Sequence, residues 1–258
     1  MMTTVYISST LMWSRSLEEI FDWTYKSGLD GIELWAQHFF CRNYSREEFC
    51  KLSALYPLRS CLHSASWDLN LASLNEGIRE QSVKEVKRSI DLAADLGIRE
   101  VTVHPGRKTI GADLADYAGL LRKSLRDILE HGERRQVDVS LEIMEKIPRE
   151  FVTTMETMEQ VCGEMFPRFC FTLDVAHCDS EGEALDTLRE HGSRISKIHI
   201  SNRRGNMYHT PLNQGDYDMG RLIPKLAEYG MPLVIEGLDP GEDFSVAKEN
   251  VAYLKTII

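Results

Sequence analysis

Short β-rich runs alternate with longer stretches whose apolar residues recur at helical spacing, from one end of the chain to the other. The alternation predicts strands over 4–8, 30–35, 58–63, 99–104, 137–142, 169–174, 195–200 and 232–236. Between them apolar positions fall at i, i+3, i+4 and i+7, as in 78–96, where Ile78, Val83, Val86, Ile90, Ala93 and Ala94 form one stripe. Gly28, Gly97 and Gly230 stand where such helices should stop, each followed by a strand within a few residues. A strand followed by a helix, repeated eight times, implies parallel pairing, because a parallel neighbour needs a connection long enough to cross a sheet face. Eight such units in 258 residues are what a closed (β/α)8 barrel requires. The competing open, doubly wound sheet ordinarily carries a glycine-rich phosphate loop after its first strand, and this chain has none. No linker, charge block or low-complexity tract marks a boundary. The expectation is an α/β chain forming a single (β/α)8 barrel domain over residues 1–258.

Charge narrows the partners. Thirty Lys and Arg stand against 40 Asp and Glu, a net −10 that disfavours non-specific binding to a polyanion. DNA as a partner is therefore disfavoured, and a small-molecule substrate suits the chain better. No run approaches the roughly 18 consecutive apolar residues of a membrane-spanning helix, and no basic stretch followed by an apolar signal segment opens the chain. A cytoplasmic protein without a membrane partner is expected. The six cysteines form no C-x-x-C pair and read as reduced thiols.

In a barrel of this type the carboxyl ends of the strands converge on one face, so residues far apart in sequence meet there. Those ends carry Glu33 and Trp35, His63, His104, Glu142, Asp174 with His177 just beyond, His199, and Glu236. Several carboxylates gathered in one mouth repel one another unless a cation neutralises them. Carboxylate and imidazole donors suit Zn²⁺, Mn²⁺, Fe²⁺ or Co²⁺, so a divalent metal is the expected cofactor.

The segments SLEIME (140–145), FTLDVAH (171–177), KIHISN (197–202) and PLVIEG (232–237) resemble the metal-binding strand ends of the xylose isomerase-like TIM-barrel superfamily. That group includes ketose epimerases, sugar isomerases and endonuclease IV. The resemblance implies that Glu142, Asp174, His199 and Glu236 coordinate one divalent metal, Zn or Mn, and that His177 serves the substrate or a further metal. HSASWDLNLAS (63–73) and VTVHPG (101–106) resemble the endonuclease segments that hold a second ion, which implies His63 and His104 as additional ligands. Within NMYHTPLNQGDYD (206–218), His209 matches a third-site ligand, whereas the family's aspartate two residues earlier is Met207. One to three ions are thus implied. The endonuclease branch hydrolyses a phosphodiester, while the epimerase branch would use Glu142 and Glu236 as an acid–base pair on a sugar. The histidine count exceeds what one metal needs, and the reading leans to a phosphoesterase acting on a small phosphoester.

Trp13, Trp35 and Trp67 follow strand ends and are expected to wall a pocket, whereas Trp23 lies in the first helix and reads as core. Arg204, shortly after His199, is positioned to hold a phosphate or a sugar hydroxyl through its planar fork. Asp216 and Asp218 lie in a helix-entry sequence and read at least as well as capping residues.

Overall fold

The computed structural model describes residues 3–111 and 114–258. Eight parallel strands, β1 (Val5–Ser8), β2 (Gly31–Trp35), β3 (Arg59–His63), β4 (Glu100–Val103), β5 (Asp138–Glu142), β6 (Cys170–Asp174), β7 (Ile195–Ile200) and β10 (Leu233–Ile235), form a closed barrel. Their order is β1-β10-β7-β6-β5-β4-β3-β2, the expected (β/α)8 topology. A two-stranded antiparallel hairpin, β8 (Asn202–Arg204) and β9 (Met207–Thr210), follows β7. The helices are α1 (Leu17–Lys26), α2 (Ala36–Cys41), α3 (Arg46–Leu55), α4 (Glu76–Asp95), α5 (Leu114–Arg135), α6 (Met155–Cys162), α7 (Glu181–His191), α8 (Met219–Ala227) and α9 (Ser245–Leu254). Among the described residues no helix is long and apolar enough to cross a membrane. All six cysteines are free thiols.

The chain divides into two compact units, one running to Cys61 and resuming over Leu173–Ile258, the other spanning Leu62–Thr172. Both divisions fall inside strands, β3 and β6. In the first unit β1 pairs with β2 and with β10, and β10 pairs with β7. Tyr6, Cys61 and Val234 form one buried cluster there. Gly31 lies so close beneath the Tyr6 ring that a Cβ would stand 2.5 Å from the Arg59 carbonyl and 2.7 Å from the ring, so only glycine fits. α1 starts at a reciprocal cap in which Ser16 accepts from the Glu19 amide and Glu19 accepts from the Ser16 amide. Its buried face, Leu17, Ile20, Phe21 and Thr24, meets α3 edge-on through Phe49, with ring centroids 5.3 Å apart. Burying side chains of this size stabilises by roughly 1.5–3 kcal/mol each.

In the second unit β3, β4, β5 and β6 pair in sequence order. Side chains alternate along each strand. Val101, Val103, Val139, Leu141 and Phe171 make one buried apolar set, while Thr102, Ser140 and Thr172 meet across β4, β5 and β6 through hydroxyl contacts of 2.8 and 3.3 Å. The same two-residue period carries the polar face onward from Thr102 to His104 and from Ser140 to Glu142. The β3–α4 loop is tied to α4 by serines: Ser82 Oγ accepts from the Asn70 amide and Ser89 Oγ from the Ala65 amide. Asn70 then clamps the β4–α5 loop, accepting from the Arg107 amide and donating to the Arg107 carbonyl.

Gly28, Gly97 and Gly230 adopt positive φ where α1, α4 and α8 end, as expected of helix-stopping glycines. Two local expectations are corrected. Ile78 is 48% exposed, because the first turns of α4 instead bury Arg79, whose guanidinium donates to the Ser73 carbonyl, and Ser82. Asp218 caps α8 by accepting from the Arg221 amide, but Asp216 accepts from the Gly205 amide and so ties down the β8–β9 turn instead of a helix.

Candidate metal centre

Three predicted ligands lie together within the second unit. His63 ends β3, His104 follows β4 directly, Glu142 ends β5, and one ligand atom from each lies within 4.8 Å of the others. The Nδ1–H of His63 donates to the Ser64 carbonyl at 2.8 Å, which leaves the Nε2 lone pair facing Glu142 Oε2 at 3.3 Å. His104 Nε2 reaches the same carboxylate oxygen at 3.1 Å, and the two imidazoles meet edge to face at 4.8 Å. Burial opposes a charge on His104, but the Glu142 carboxylate together with the Glu150 and Glu145 charges outweighs it and holds the ring's pKa above the usual range. Close by in sequence, burial together with the Glu145 charge pushes Glu150 up to about 7.

The first unit holds a second gathering. Asp174 ends β6, His177 follows it, His199 lies on β7, His209 on β9, and Glu236 follows β10. Asp174 Oδ1 accepts from the Ala176 amide at 2.6 Å, so its orientation is set by its own turn. The other oxygen, Oδ2, lies 3.9 Å from His177 Nε2, 3.7 Å from His209 Nδ1 and 3.9 Å from His199 Nδ1. His199 lies between two carboxylates, with Nε2 3.1 Å from Glu33 Oε1 and Nδ1 2.7 Å from Glu236 Oε2. Burial pushes the Glu236 carboxyl up to about 8 even beside this imidazole. His209 takes a left-handed backbone, φ 57°, in the hairpin, and Ser201 Oγ lies 3.1 Å from its Nδ1.

His63 Nε2 and His199 Nδ1 thus lie against carboxylate oxygens, and a nitrogen lone pair facing such an oxygen is repelled unless a proton or a cation stands between them. Imidazole nitrogens and carboxylate oxygens at these separations fit a divalent transition metal, and either gathering offers three or more donors.

The remaining predicted residues are less concentrated. Trp67 is 39% exposed, Trp35 is only 6% exposed at the start of α2, and Arg204 is exposed on β8. Its neighbour Arg203 is the engaged arginine: it donates to the Cys178 carbonyl at 2.6 Å and packs over the Tyr208 ring at 4.9 Å. Trp13 stacks on His38 with centroids 4.5 Å apart. Sequence reading missed Lys197, a lysine 2% exposed whose Nζ lies 3.9 Å from Glu33 Oε1. The signal was available, because Lys197 precedes His199 by two on one strand and therefore shares its face.

Comparison with known proteins agrees with this arrangement of strands. A probable endonuclease 4 of Mycobacterium bovis is 30% identical over 204 residues, covering 74% of this chain and 76% of that one. An uncharacterised protein of Methanocaldococcus jannaschii is 26% identical over 89% of this chain and 86% of its own. Among solved structures, a D-tagatose 3-epimerase-like protein superposes with a TM-score of 0.82 at 20% identity, covering 99% of this chain and 98% of that one, a likeness of fold. Residues 21–257 match the family described as xylose isomerase-like TIM barrel, and the chain belongs to that family.

Proposed function

We propose that the chain is a divalent-metal-dependent phosphoesterase acting on a small-molecule phosphoester. In this reading Glu142, Asp174, His199 and Glu236 hold the principal cation, Zn²⁺ or Mn²⁺. His63 and His104 hold a second together with Glu142, and His177 and His209 serve a third ion or contact phosphate. The observation that carries it is the pairing of two histidines with each of two buried carboxylates, His63 and His104 at Glu142, and His177 and His209 at Asp174. A single-cation site needs neither pair. The 30% identity to a probable endonuclease 4 supports the same branch.

Bound cations would polarise a phosphoryl oxygen and supply a nucleophilic water at neutral pH. The chain's own residues do the rest. Within its own unit, Glu142 Oε2 gathers His63 and His104, and Asp174, its Oδ1 held by the Ala176 amide, offers Oδ2 to His177 and His209. Arg204 would offer a planar cation, and Trp67 and Trp35 aromatic faces, to the substrate. With a net charge of −10, duplex DNA is the less favoured phosphodiester.

A second reading, a metal-dependent ketose epimerase or sugar isomerase, is supported by the fold likeness to a D-tagatose 3-epimerase-like protein. In it Glu142 and Glu236 would exchange the carbon-bound proton, a role suited to a carboxyl that burial lifts to about 8, as at Glu236.

Elemental analysis of protein purified without added metal or chelator, paired with a screen of phosphoesters, abasic DNA and free and phosphorylated ketoses, separates the two. Two or more ions per chain, one lost in His104→Ala, with phosphoester turnover, is the expected result. A single ion unaffected by His104→Ala, with ketose turnover, would overturn the phosphoesterase reading in favour of the epimerase.

A further inference from the structure

Lys197, Glu33 and His199 form a line of ionisable side chains with essentially no solvent exposure. Lys197 and His199 lie two residues apart on β7 and Glu33 comes from β2, so the contact spans strands separated in the barrel order by β10 and β1. Glu33 Oε1 is the meeting point. It accepts Nε2–H of His199 at 3.1 Å and the Cys61 thiol at 3.7 Å, and it stands 3.9 Å from Lys197 Nζ. An isolated ion is not tolerated in such surroundings, so an ammonium and a carboxylate placed together there compensate one another. A carboxylate on the far nitrogen of an imidazole ordinarily fixes which nitrogen bears the proton and how the ring is turned.

We infer that Glu33 and Lys197 are a positioning pair for His199. Glu33 holds the proton on Nε2 and so presents Nδ1 to Glu236 and Asp174, and the Lys197 ammonium supplies the charge that lets Glu33 lie within the barrel. Neither residue belongs to the gathered donor sets; both act through His199. The inference rests on the metal-dependent reading for its consequence, tighter cation binding, but not for the arrangement itself. The bland alternative, a buried ion pair that serves only folding, predicts no effect on cation binding in variants that fold.

Two measurements on the full chain test it. In metal-free protein, long-range proton–nitrogen NMR of His199 should find Nε2 protonated in the wild type, with that proton no longer held in Glu33→Leu. Zinc titration by calorimetry should then give a dissociation constant raised about 10- to 100-fold in Glu33→Gln and in Lys197→Met, with unfolding monitored in parallel. The double variant Glu33→Gln/Lys197→Met should bind zinc no more weakly than Glu33→Gln alone, because Lys197 acts only through Glu33. It should also recover thermal stability lost in Lys197→Met. It therefore serves as the folded test should the single lysine variant fail to fold.

An unprotonated Nε2 in the wild type would overturn the inference, as would Glu33→Gln binding zinc as tightly as wild type. So would an added loss of affinity in the double variant. A wild type that takes up no zinc, manganese or cobalt would instead overturn the metal-dependent reading, and the NMR result would still decide the placement of His199.

Discussion

Replacing His38 by glutamine removes a ring that ties the turn after β1 to α2, and its consequence depends on pH. His38 has no solvent exposure and stacks on Trp13 with ring planes 19° apart. Its Nε2–H donates to the Trp13 carbonyl at 2.9 Å, with Tyr44 Oη at 3.0 Å, and its Nδ1 accepts from the Ser9 hydroxyl at 3.1 Å. Tyr44 in turn donates to the Arg15 carbonyl. Only the neutral ring satisfies both ends of this network. Burial, aided by the positive charge of Arg42, pushes its pKa down from 6.5 to about 4, although the Trp13 carbonyl works the other way.

An unfolded chain takes up this proton near the ordinary imidazole pKa, while the folded chain refuses it until about pH 4. The folded state therefore loses stability as pH falls through that window and keeps the full contribution above it. At 1.36 kcal/mol per pKa unit the loss amounts to about 3 kcal/mol. Urea unfolding with a chelator present, repeated from about pH 7 to about pH 4, should show wild type losing roughly that much more than His38→Gln, which does not titrate. At the upper end His38→Gln should be the less stable by about 1–3 kcal/mol, since one buried hydrogen-bonding group is left unsatisfied. The two curves should converge in acid. Curves running parallel across the whole range would refute the argument, because protonation of carboxylates common to both proteins would then explain all of the acid sensitivity.

Other expectations are equally direct. Glu236→Gln should reduce bound cation and lower turnover by about 100-fold or more while leaving the far-ultraviolet circular dichroism unchanged; full activity with full cation content would remove Glu236 from the site. Gly31→Ala should lower stability by about 1–3 kcal/mol, read from chemical denaturation, because the new Cβ meets the Arg59 carbonyl and the Tyr6 ring. Burial pushes the Cys162 thiol up to about 12, so iodoacetamide near neutral pH should label the exposed Cys41 and Cys50 first, with Cys162 protected until the chain unfolds; equal labelling by mass spectrometry would contradict its burial.

Much of the architecture is legible in the sequence. Each expected barrel strand overlaps an observed one to within a residue or so at either end, because strands packed on both faces leave continuous apolar runs bounded by glycine and polar turns. The β8–β9 hairpin is invisible to the same reading, which predicts no strand between 200 and 232. Its strands are short and mostly half-exposed, so no apolar alternation marks them, and the segment after them is tied back by Asn202, whose side-chain amide donates to the Leu212 and Tyr217 carbonyls. Spacing alone puts Ile78 in the buried stripe of α4; which face of a first turn is covered depends on the loop packed against it.

Local sequence is enough to specify the class of fold and, through residue types at strand ends, the chemistry those ends can offer. Periodicity is a local property, and so is a carboxylate or imidazole at the last position of a strand. Strand pairing sets which nitrogens of His63 and His199 face carboxylates, ties Arg203 to the Cys178 carbonyl and brings Lys197 near Glu33. His199 and Glu33 are 166 residues apart in the chain, and their contact depends on barrel register. Hydrogen bonds between elements so distant carry no sequence period, so they become visible only when the strands have paired and the side chains have met.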